Sequence, residues 1–357
     1  MTKKTGTSKN RKSSKKQFRT VNTIIAIIAG LLLVATIAGL VMLRGQKSTN
    51  REAVTLYIPT GSSYDAVVDS LNVHGCIGNQ MVFNSMARLR HYRDNVKGGC
   101  YVIGAEAPVW NVLTKLYYGN QDAIRVTINK YRTPQQLCKY LGNRLEFSGD
   151  TLLAMLSDDT LCAAYGHTTQ TIIGMFPQNT YEIYWNTTPR KFLDRMRKES
   201  SRFWTSERQQ KCKALKLTEN EVITLASIVE EETNKNDEKA DIASVYLNRI
   251  RKGMPLQADP TLKFALGDFT LQRLLNRHTE VESPYNTYLH KGLPPGPICI
   301  PSAASIDAVL QNKQTEYLYF CARADFSGYH AFATTLAAHN ANANAFHSEL
   351  NRRKIYK

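Results

Sequence analysis

Three consecutive glutamates, Glu230, Glu231 and Glu232, are the residues whose types and spacing point most directly to chemistry. They end an apolar segment that a capping box at Thr218 and Glu221 predicts to be a helix. At about 100° per residue, Glu232 continues the apolar stripe of this helix, whereas Glu230 and Glu231 point away from it. The other residues of the stripe are Leu225, Ile228 and Val229.

A glutamate on an apolar stripe is unusual because burial of an ionised carboxyl group is costly. Burial raises the pKa of a carboxyl group, and a glutamic acid that is protonated near neutral pH can act as the general acid for cleavage of a glycosidic bond. A salt-bridged glutamate at a helix end explains the same spacing equally well. The spacing alone therefore leaves both interpretations of Glu232 open.

Further polar residues of the C-terminal half are candidates for the same cleft. A second helix is predicted at about residues 239–252, followed by a turn and an extended segment that holds Gln257 and Asp259. A loop rich in proline and glycine contains Tyr285 and Asn286, and rigid loops often form the walls of binding sites. A predicted hairpin near the C-terminus presents His330 beside the cleft, although a single histidine usually has a structural role.

The N-terminus combines a basic tail, residues 1–23, with an apolar span, residues 24–43. The span has no charged residue, and 20 residues at about 1.5 Å each cross the roughly 30 Å hydrocarbon core of a bilayer. The positive-inside rule then places the tail in the cytoplasm and the remaining chain outside. A cleaved signal peptide is the alternative, but its apolar core is usually only about 7–15 residues long.

The formal net charge of +16 raises the question of a nucleic-acid partner. Half of this excess lies in the first 20 residues, which have eight Lys and Arg residues and no acidic residue. The apolar span follows this tail at once, and the tail shows no element that reads bases. We therefore expect a membrane-associated protein and no nucleic-acid partner.

The region after the apolar span predicts an α+β fold in two parts. Residues 44–54 form a short polar linker, and residues 55–122 show a strand, two helices and a second strand, then an amphipathic helix. This β-α-α-β pattern resembles a LysM-like carbohydrate-binding subdomain. Residues 123–357 open with a strand and are then largely helical, and residues 177–189 are predicted to be a polar, aromatic loop.

The seven cysteines occur singly, and their spacing matches no zinc motif. An odd number cannot all pair within one chain. Free, mostly buried thiols are the default expectation, with one or two disulfides left open for an oxidising compartment. The cysteines are Cys76, Cys100, Cys138, Cys162, Cys212, Cys299 and Cys321.

Five segments together carry a specific resemblance to a known family. They are LASIVEEET, ASVYLNRIRKGMPLQADPT, SPYNTYLHKGLPPGPICIPS, YLYF and HAFATTLAAHN. In order and spacing they resemble the motifs of the YceG-like (MltG) endolytic murein transglycosylases, over roughly residues 50–350. The resemblance implies a single-pass protein of the bacterial inner membrane, with a LysM-like subdomain and a YceG-like α+β catalytic domain on the periplasmic side. Coupling to peptidoglycan synthases is expected for such a protein.

The resemblance also implies a reaction and a set of site residues. The substrate is the peptidoglycan glycan strand, cut at the β-1,4 bond between N-acetylmuramic acid and N-acetylglucosamine to leave a 1,6-anhydro end, without a metal or cofactor. The catalytic glutamate belongs to the E-x-E-T element at residues 230–233; the helical stripe selects Glu232, with Glu230 as the alternative. Glu231 stands where the pattern often has lysine, and repulsion among three acids is expected to raise one pKa further. The candidates for orienting the sugar are Gln257, Asp259, Tyr285, Asn286 and His330.

Two other functions remain open from the sequence. A muramidase-type hydrolase using the same cleft requires a second carboxylate, for which Asp259 is the best candidate. A non-catalytic envelope scaffold would bind glycan through the LysM-like subdomain and would tolerate replacement of Glu232.

Overall fold

The computed structural model describes residues 9–271 and 274–353, and the chain divides into two units, Met1–Ala123 and Ile124–Lys357. Helix α1, Lys9–Arg44, includes the segment Phe18–Ile37, which has a mean hydropathy of 2.3 and is long enough to cross a membrane. A membrane anchor and a signal sequence both have these properties. The predicted span, residues 24–43, lies within α1, whereas residues 1–8 of the predicted basic tail lie outside the described residues.

The first unit contains the predicted order of strand, helix, helix and strand. Strand β1, Val54–Ile58, pairs antiparallel with β2, Gly99–Ile103, so that Val54 lies opposite Ile103. Helices α2, Tyr64–Val73, and α3, Gln80–Leu89, connect the strands, and α4, Val109–Tyr118, follows them. The largest buried side chains of this unit's core include Leu56, Leu71, Phe83, Tyr92, Tyr101 and Leu113.

Local sequence explains where the helices of the first unit begin and end. The side chain of Ser63 accepts a hydrogen bond from the backbone N–H of Ala66 and so caps the start of α2. Gly119 follows the last residue of α4 and caps its C-terminal end, with a φ of 69°. Glycine adopts this left-handed conformation without the steric cost that a Cβ imposes.

The second unit combines ten α-helices, among its described residues, with two two-stranded sheets. Strand β3, Ala123–Ile128, which starts at the unit boundary, pairs with β4, Asn179–Tyr184, and β5, Tyr319–Ala322, pairs antiparallel with β6, His330–Ala333. The helices are α5, Pro134–Gly142; α6, Gly149–Leu156; α7, Asp159–Ala164; α8, Pro189–Phe203; α9, Ser206–Leu215; α10, Glu219–Glu232; α11, Lys239–Arg251; α12, Asp259–Leu266; α13, Ala303–Leu310; and α14, Leu336–Arg352.

Two sequence predictions for this unit are wrong. The segment predicted as a polar loop contains β4, because alternate side chains such as Tyr181 enter the core while Tyr184 remains exposed. The segment predicted to be extended at Asp259 is instead the start of α12. Asp259 followed by Pro260 is a helix-start signal, because proline in the first turn loses no intrahelical hydrogen bond.

Helix α10 carries the three candidate glutamates at its C-terminal end and is buried around most of its circumference. The predicted capping box is present: Thr218 Oγ1 accepts from the N–H of Glu221, and Glu221 Oε2 accepts from the N–H of Thr218. Every side chain from Val222 to Val229 is buried. The buried surface of this helix is therefore wider than the predicted apolar stripe. The three apolar residues of the stripe, Leu225, Ile228 and Val229, are fully buried as predicted.

All seven cysteines are free thiols, six of them buried and Cys321 partly exposed. The default expectation from the sequence is therefore confirmed, and burial raises the thiol pKa of Cys138 to about 12. Within residues 9–271 and 274–353, no group of three or more His, Cys, Asp and Glu residues is arranged to hold a metal ion.

The hydroxyl of Ser227 connects α10 to the segment before α13. Ser227 Oγ donates to the carbonyl of Thr224 at 2.7 Å and accepts from the N–H of Ile298 at 3.0 Å. Ser227→Ala leaves this buried N–H without a partner, so we expect the free energy of unfolding to fall by about 1–3 kcal/mol. Urea unfolding measures the change, with Ser201→Ala at an exposed serine of α8 as the control. Equal stability of both variants would contradict the prediction.

Candidate active site

Glu232, the last residue of α10, borders a cleft of about 410 Å³ in the second unit. Side chains from α10, α11, the start of α12, the loop after residue 283 and the β5–β6 hairpin line this cleft. Its polar lining includes Tyr246, Arg249, Gln257, Asp259, Tyr288 and His330. Of the five residues predicted to orient a sugar, the structure therefore brings Gln257, Asp259 and His330 together with Glu232.

The carboxyl group of Glu232 is desolvated and bonded to a single tyrosine. The Tyr246 hydroxyl donates a 2.5 Å hydrogen bond to Glu232 Oε1, and among the described residues no ion pair to Glu232 is present. Burial raises the pKa of Glu232 to about 7, while the Tyr246 hydrogen bond opposes this rise and the charge of Asp259 adds to it. Half of such groups carry a proton near neutral pH, as general acid catalysis requires.

Glu230 has the opposite environment. Its Oε2 accepts hydrogen bonds from Lys239 Nζ at 3.0 Å, from Ser302 Oγ at 2.6 Å and from Ser305 Oγ. Burial alone would raise the pKa of Glu230, but these three hydrogen bonds hold it below the usual value. The carboxylate also lies at the N-terminus of α13, where the helix dipole favours a negative charge. These surroundings favour Glu232 over Glu230 as the proton donor.

Glu231 is neutralised by two cations. Its carboxylate forms a two-pronged ion pair with Arg132, at 3.2 Å and 2.8 Å, and Lys130 Nζ lies 3.4 Å from Oε1. The expected repulsion among the three acids is consequently small, and Glu231 is the weakest of the influences that raise the pKa of Glu232. Burial, not repulsion, sets that pKa.

The cleft also holds a second pair of tyrosine and carboxylate. The Tyr288 hydroxyl donates a 2.5 Å hydrogen bond to Asp259 Oδ1, and Asp259 is exposed to the cleft as the first residue of α12. Burial, followed by this hydrogen bond, raises the pKa of the Tyr288 hydroxyl. Tyr288 therefore remains a neutral hydrogen-bond donor that holds the Asp259 carboxylate in place.

The backbone of Gln257 is strained. Its φ is 52°, a value that residues other than glycine rarely adopt. Two contacts stabilise it: its N–H donates to the carbonyl of Thr287 at 3.0 Å, and its Oε1 accepts from Arg249 Nη1 at 3.2 Å. The buried Arg249 also donates to the carbonyl of Leu256 at 2.8 Å. Backbone strain of this kind is concentrated at functional sites, where the surrounding contacts maintain it.

Tyr285 and Asn286 do not line the cleft, so their predicted contact with the sugar is corrected. Tyr285 packs against Phe264 at a ring distance of 4.6 Å and lines a different cavity. Asn286 is fully buried and donates to two carbonyl groups of the preceding loop, and its Oδ1 accepts from the N–H of Tyr288 at 2.9 Å. Asn286 therefore fixes the loop that carries Tyr288.

Sequence reasoning did not single out four residues that the structure places in or beside the cleft. Tyr246 and Arg249 lie on the buried side of α11, and two polar groups on an otherwise apolar side of a helix are a signal that the sequence does contain. Tyr288 lies in the proline-rich loop without a distinguishing pattern. The buried Glu238, whose Oε2 lies 3.1 Å from His330 Nδ1, has no sequence signal because its partner is 92 residues away.

Comparison with known proteins places this chain in a family. A sequence model of the YceG-like family matches residues 56–345, and the chain therefore belongs to that family. This confirms the prediction made from the five motifs.

Three known proteins illustrate the similarity. The endolytic murein transglycosylase of Bacillus subtilis is 27% identical over 335 residues, covering 89% of this chain and 92% of that protein. The protein of the same name from Streptococcus pneumoniae is 26% identical over 309 residues, and the match spans only 55% of that longer protein. The crystal structure of a yceG-like protein from Listeria monocytogenes has a TM-score of 0.56 and 26% identity, covering 82% of this chain and 99% of that one.

The raised pKa of Glu232 predicts how the stability of the second unit changes with pH. A pKa of about 7, above the ordinary value of 4.5, means that the folded protein binds this proton more tightly than the unfolded chain. The resulting stability is present below pH 4.5 and is lost as the pH rises to about 7. Relative to wild type, Glu232→Gln should therefore gain on the order of 3 kcal/mol over this interval.

Urea unfolding at a series of pH values measures this difference. Glu182→Gln, at an exposed glutamate of β4, is the control that changes the same charge outside the cleft. Parallel pH profiles for wild type and Glu232→Gln would show that the carboxyl group titrates at its ordinary value.

Proposed function

We propose that this protein is an endolytic peptidoglycan lytic transglycosylase with Glu232 as its catalytic acid. The proposal rests mainly on one observation: of three adjacent glutamates, only Glu232 faces the cleft with a pKa raised to about 7 and without an ion pair among the described residues. Membership of the YceG-like family and relatives named endolytic murein transglycosylase support it. The bond cleaved is the β-1,4 bond between N-acetylmuramic acid and N-acetylglucosamine.

One carboxyl group suffices for the proposed reaction. Glu232 protonates the oxygen that leaves the muramyl residue, and its carboxylate then takes the proton of the muramyl C6 hydroxyl. That oxygen bonds to C1 and closes the 1,6-anhydro ring, so no water is consumed. Burial and the Tyr246 hydrogen bond act on the pKa of Glu232 in opposite directions, and their balance near neutrality suits a group that gives a proton and takes it back.

The other cleft residues are proposed to orient the sugar. Asp259 and Gln257 offer acceptors and donors that their neighbours already hold in place, and His330 faces them from the hairpin. Positioning of this kind lowers the entropic cost of reaching the reactive geometry. Asn286 contributes indirectly, through the loop that carries Tyr288.

The first unit, which includes α1, is proposed to bring the enzyme to its substrate. We propose that α1 anchors the protein in the bacterial inner membrane, because its apolar segment is longer than the core of an ordinary signal peptide. The basic tail then lies in the cytoplasm, and the catalytic unit lies in the periplasm. The β-α-α-β segment acts as a LysM-like glycan-binding subdomain. In this location the enzyme trims or terminates nascent glycan strands beside peptidoglycan synthases.

A muramidase-type hydrolase is the second candidate, because Asp259 supplies another carboxylate in the same cleft. A hydrolase uses the second carboxylate as nucleophile or base and leaves a reducing end. The proposed transglycosylase leaves an anhydro end and needs Asp259 only for orientation. The ends of the products therefore separate the two functions.

Glu232→Gln in the full-length, detergent-solubilised protein should abolish most product formation. Because the general acid is lost, the rate of appearance of 1,6-anhydro-muramyl ends should fall by about 10²–10⁴-fold. The measurement is mass spectrometry of purified glycan strands after digestion by the wild type and the variant.

Asp259→Asn is the matched comparison, since it also replaces a cleft carboxylate by an amide. It should still yield anhydro ends, at a reduced rate. Reducing ends that disappear in Asp259→Asn would favour the hydrolase, and anhydro ends that persist in Glu232→Gln would transfer the acid role to Glu230. Absence of products from the wild type would favour a non-catalytic scaffold.

A further inference from the structure

Glu238 is a buried carboxylate that the proposed reaction does not use. It precedes α11, is 6% exposed and accepts three hydrogen bonds. Its Oε1 accepts from the backbone N–H of His330 at 2.6 Å, and its Oε2 lies 3.1 Å from His330 Nδ1 and 3.4 Å from Thr233 Oγ1. Two of these contacts involve the same histidine, so the carboxylate fixes both the backbone and the ring of His330.

These contacts determine which ring nitrogen is free. A carboxylate only accepts hydrogen bonds, so the nitrogen that faces Oε2, Nδ1, must carry the hydrogen. The ring also packs edge-on against Phe320, at 5.3 Å between ring centres, which limits its rotation. Across the part of the chain that the structure describes, Nε2 of His330 has no protein hydrogen-bond partner, and His330 lines the Glu232 cleft.

We propose that Glu238 is a positioning residue that holds His330 in its Nδ1–H form, so that Nε2 accepts a hydrogen bond from a hydroxyl group of a carbohydrate bound in the cleft. The identification of this carbohydrate as a glycan strand rests on the proposed function. Carbohydrate hydroxyls are donors, and the carboxylates of Asp259 and Glu232 are already bonded to tyrosines. A free ring nitrogen adds an acceptor whose direction the protein sets.

A purely structural role for the pair makes a different prediction. If Glu238 only attaches the β5–β6 hairpin to α11, the bond to the His330 backbone is sufficient and the ring tautomer has no consequence. The two roles separate when the carboxylate is replaced by an amide. Glutamine has one acceptor and one donor group in place of two acceptors.

Glu238→Gln should reverse the tautomer of His330. Its single acceptor oxygen bonds to the His330 N–H, so its amide N–H faces Nδ1, which must then accept and leave the hydrogen on Nε2. A comparable change in serine proteases, from aspartate to asparagine, traps the catalytic histidine in the wrong tautomer. The ¹⁵N spectrum of the full chain with labelled histidines, recorded above the ordinary imidazole pKa, distinguishes the two forms. We expect kcat/KM on glycan strands to fall roughly tenfold, the effect of one lost hydrogen bond.

Two further variants make the test specific. His330→Asn retains a donor at the position of Nδ1, and with it the contact to Glu238, but it lacks an acceptor at the position of Nε2. It should therefore fold normally, as judged by its circular dichroism and Tm, and lose roughly the same factor in kcat/KM. Asp237→Asn changes the neighbouring carboxylate, which accepts from Tyr329 rather than from His330, and should leave tautomer and activity unchanged.

The tautomer of His330 can be measured without an activity assay, and it tests part of the inference by itself. A wild-type His330 with its hydrogen on Nε2, or a His330→Asn variant with full kcat/KM, overturns the inference. If the wild type makes no anhydro ends, the proposed function fails, and titration with soluble glycan fragments replaces the assay. A shift of the His330 Nε2 signal on binding, absent in Glu238→Gln, then supports the inference, and an unchanged signal overturns it.

Discussion

Desolvation of one carboxyl group, that of Glu232, is the constraint on which the candidate site depends. The group lies at the C-terminal end of α10, where the helix dipole disfavours a negative charge. It borders a cleft, and its one hydrogen-bonding side chain among the described residues is Tyr246. A carboxyl group without an ion pair in such surroundings keeps its proton to higher pH. The fold must therefore bury this end of α10 while leaving one side of it open to a polymer.

The two preceding glutamates show how the fold achieves this. Glu230 attaches α10 to the start of α13 through Ser302, Ser305 and Lys239, and Glu231 attaches it to the segment before α5 through Arg132. Breaking a buried pair of this kind by removing one partner is strongly destabilising. Two acids in ion pairs thus fix the end of the helix so that the third can remain unpaired. Three identical residues in a row have different properties because each faces a different neighbouring element.

This division explains how far the sequence predicts the site. The period of α10, its capping box and the burial of Leu225, Ile228 and Val229 follow from local patterns, and so does the separate direction of Glu232. Local patterns do not specify partners that are distant in the chain. Glu238 and His330, for example, are separated by 92 residues. Tyr285 and Tyr288 share one loop, yet aromatic packing on Phe264 turns the first away from the cleft. Such choices depend on tertiary packing, and a single sequence gives no direct signal of it.

The Tyr246 hydrogen bond also affects which oxygen of Glu232 carries its proton. The tyrosine hydroxyl donates to Oε1, so that oxygen cannot at the same time present its own hydrogen to the tyrosine. The carbonyl oxygen of a protonated carboxyl group is a better acceptor than its hydroxyl oxygen, so a donor at Oε1 favours the hydrogen on Oε2. In the proposed reaction, Oε2 is then the atom that would protonate the leaving oxygen. After the transfer, the same tyrosine stabilises the carboxylate, which lowers its pKa and limits its basicity. In the proposed reaction, Tyr246 thus orients the acid in the first step and lowers the basicity of the carboxylate in the second.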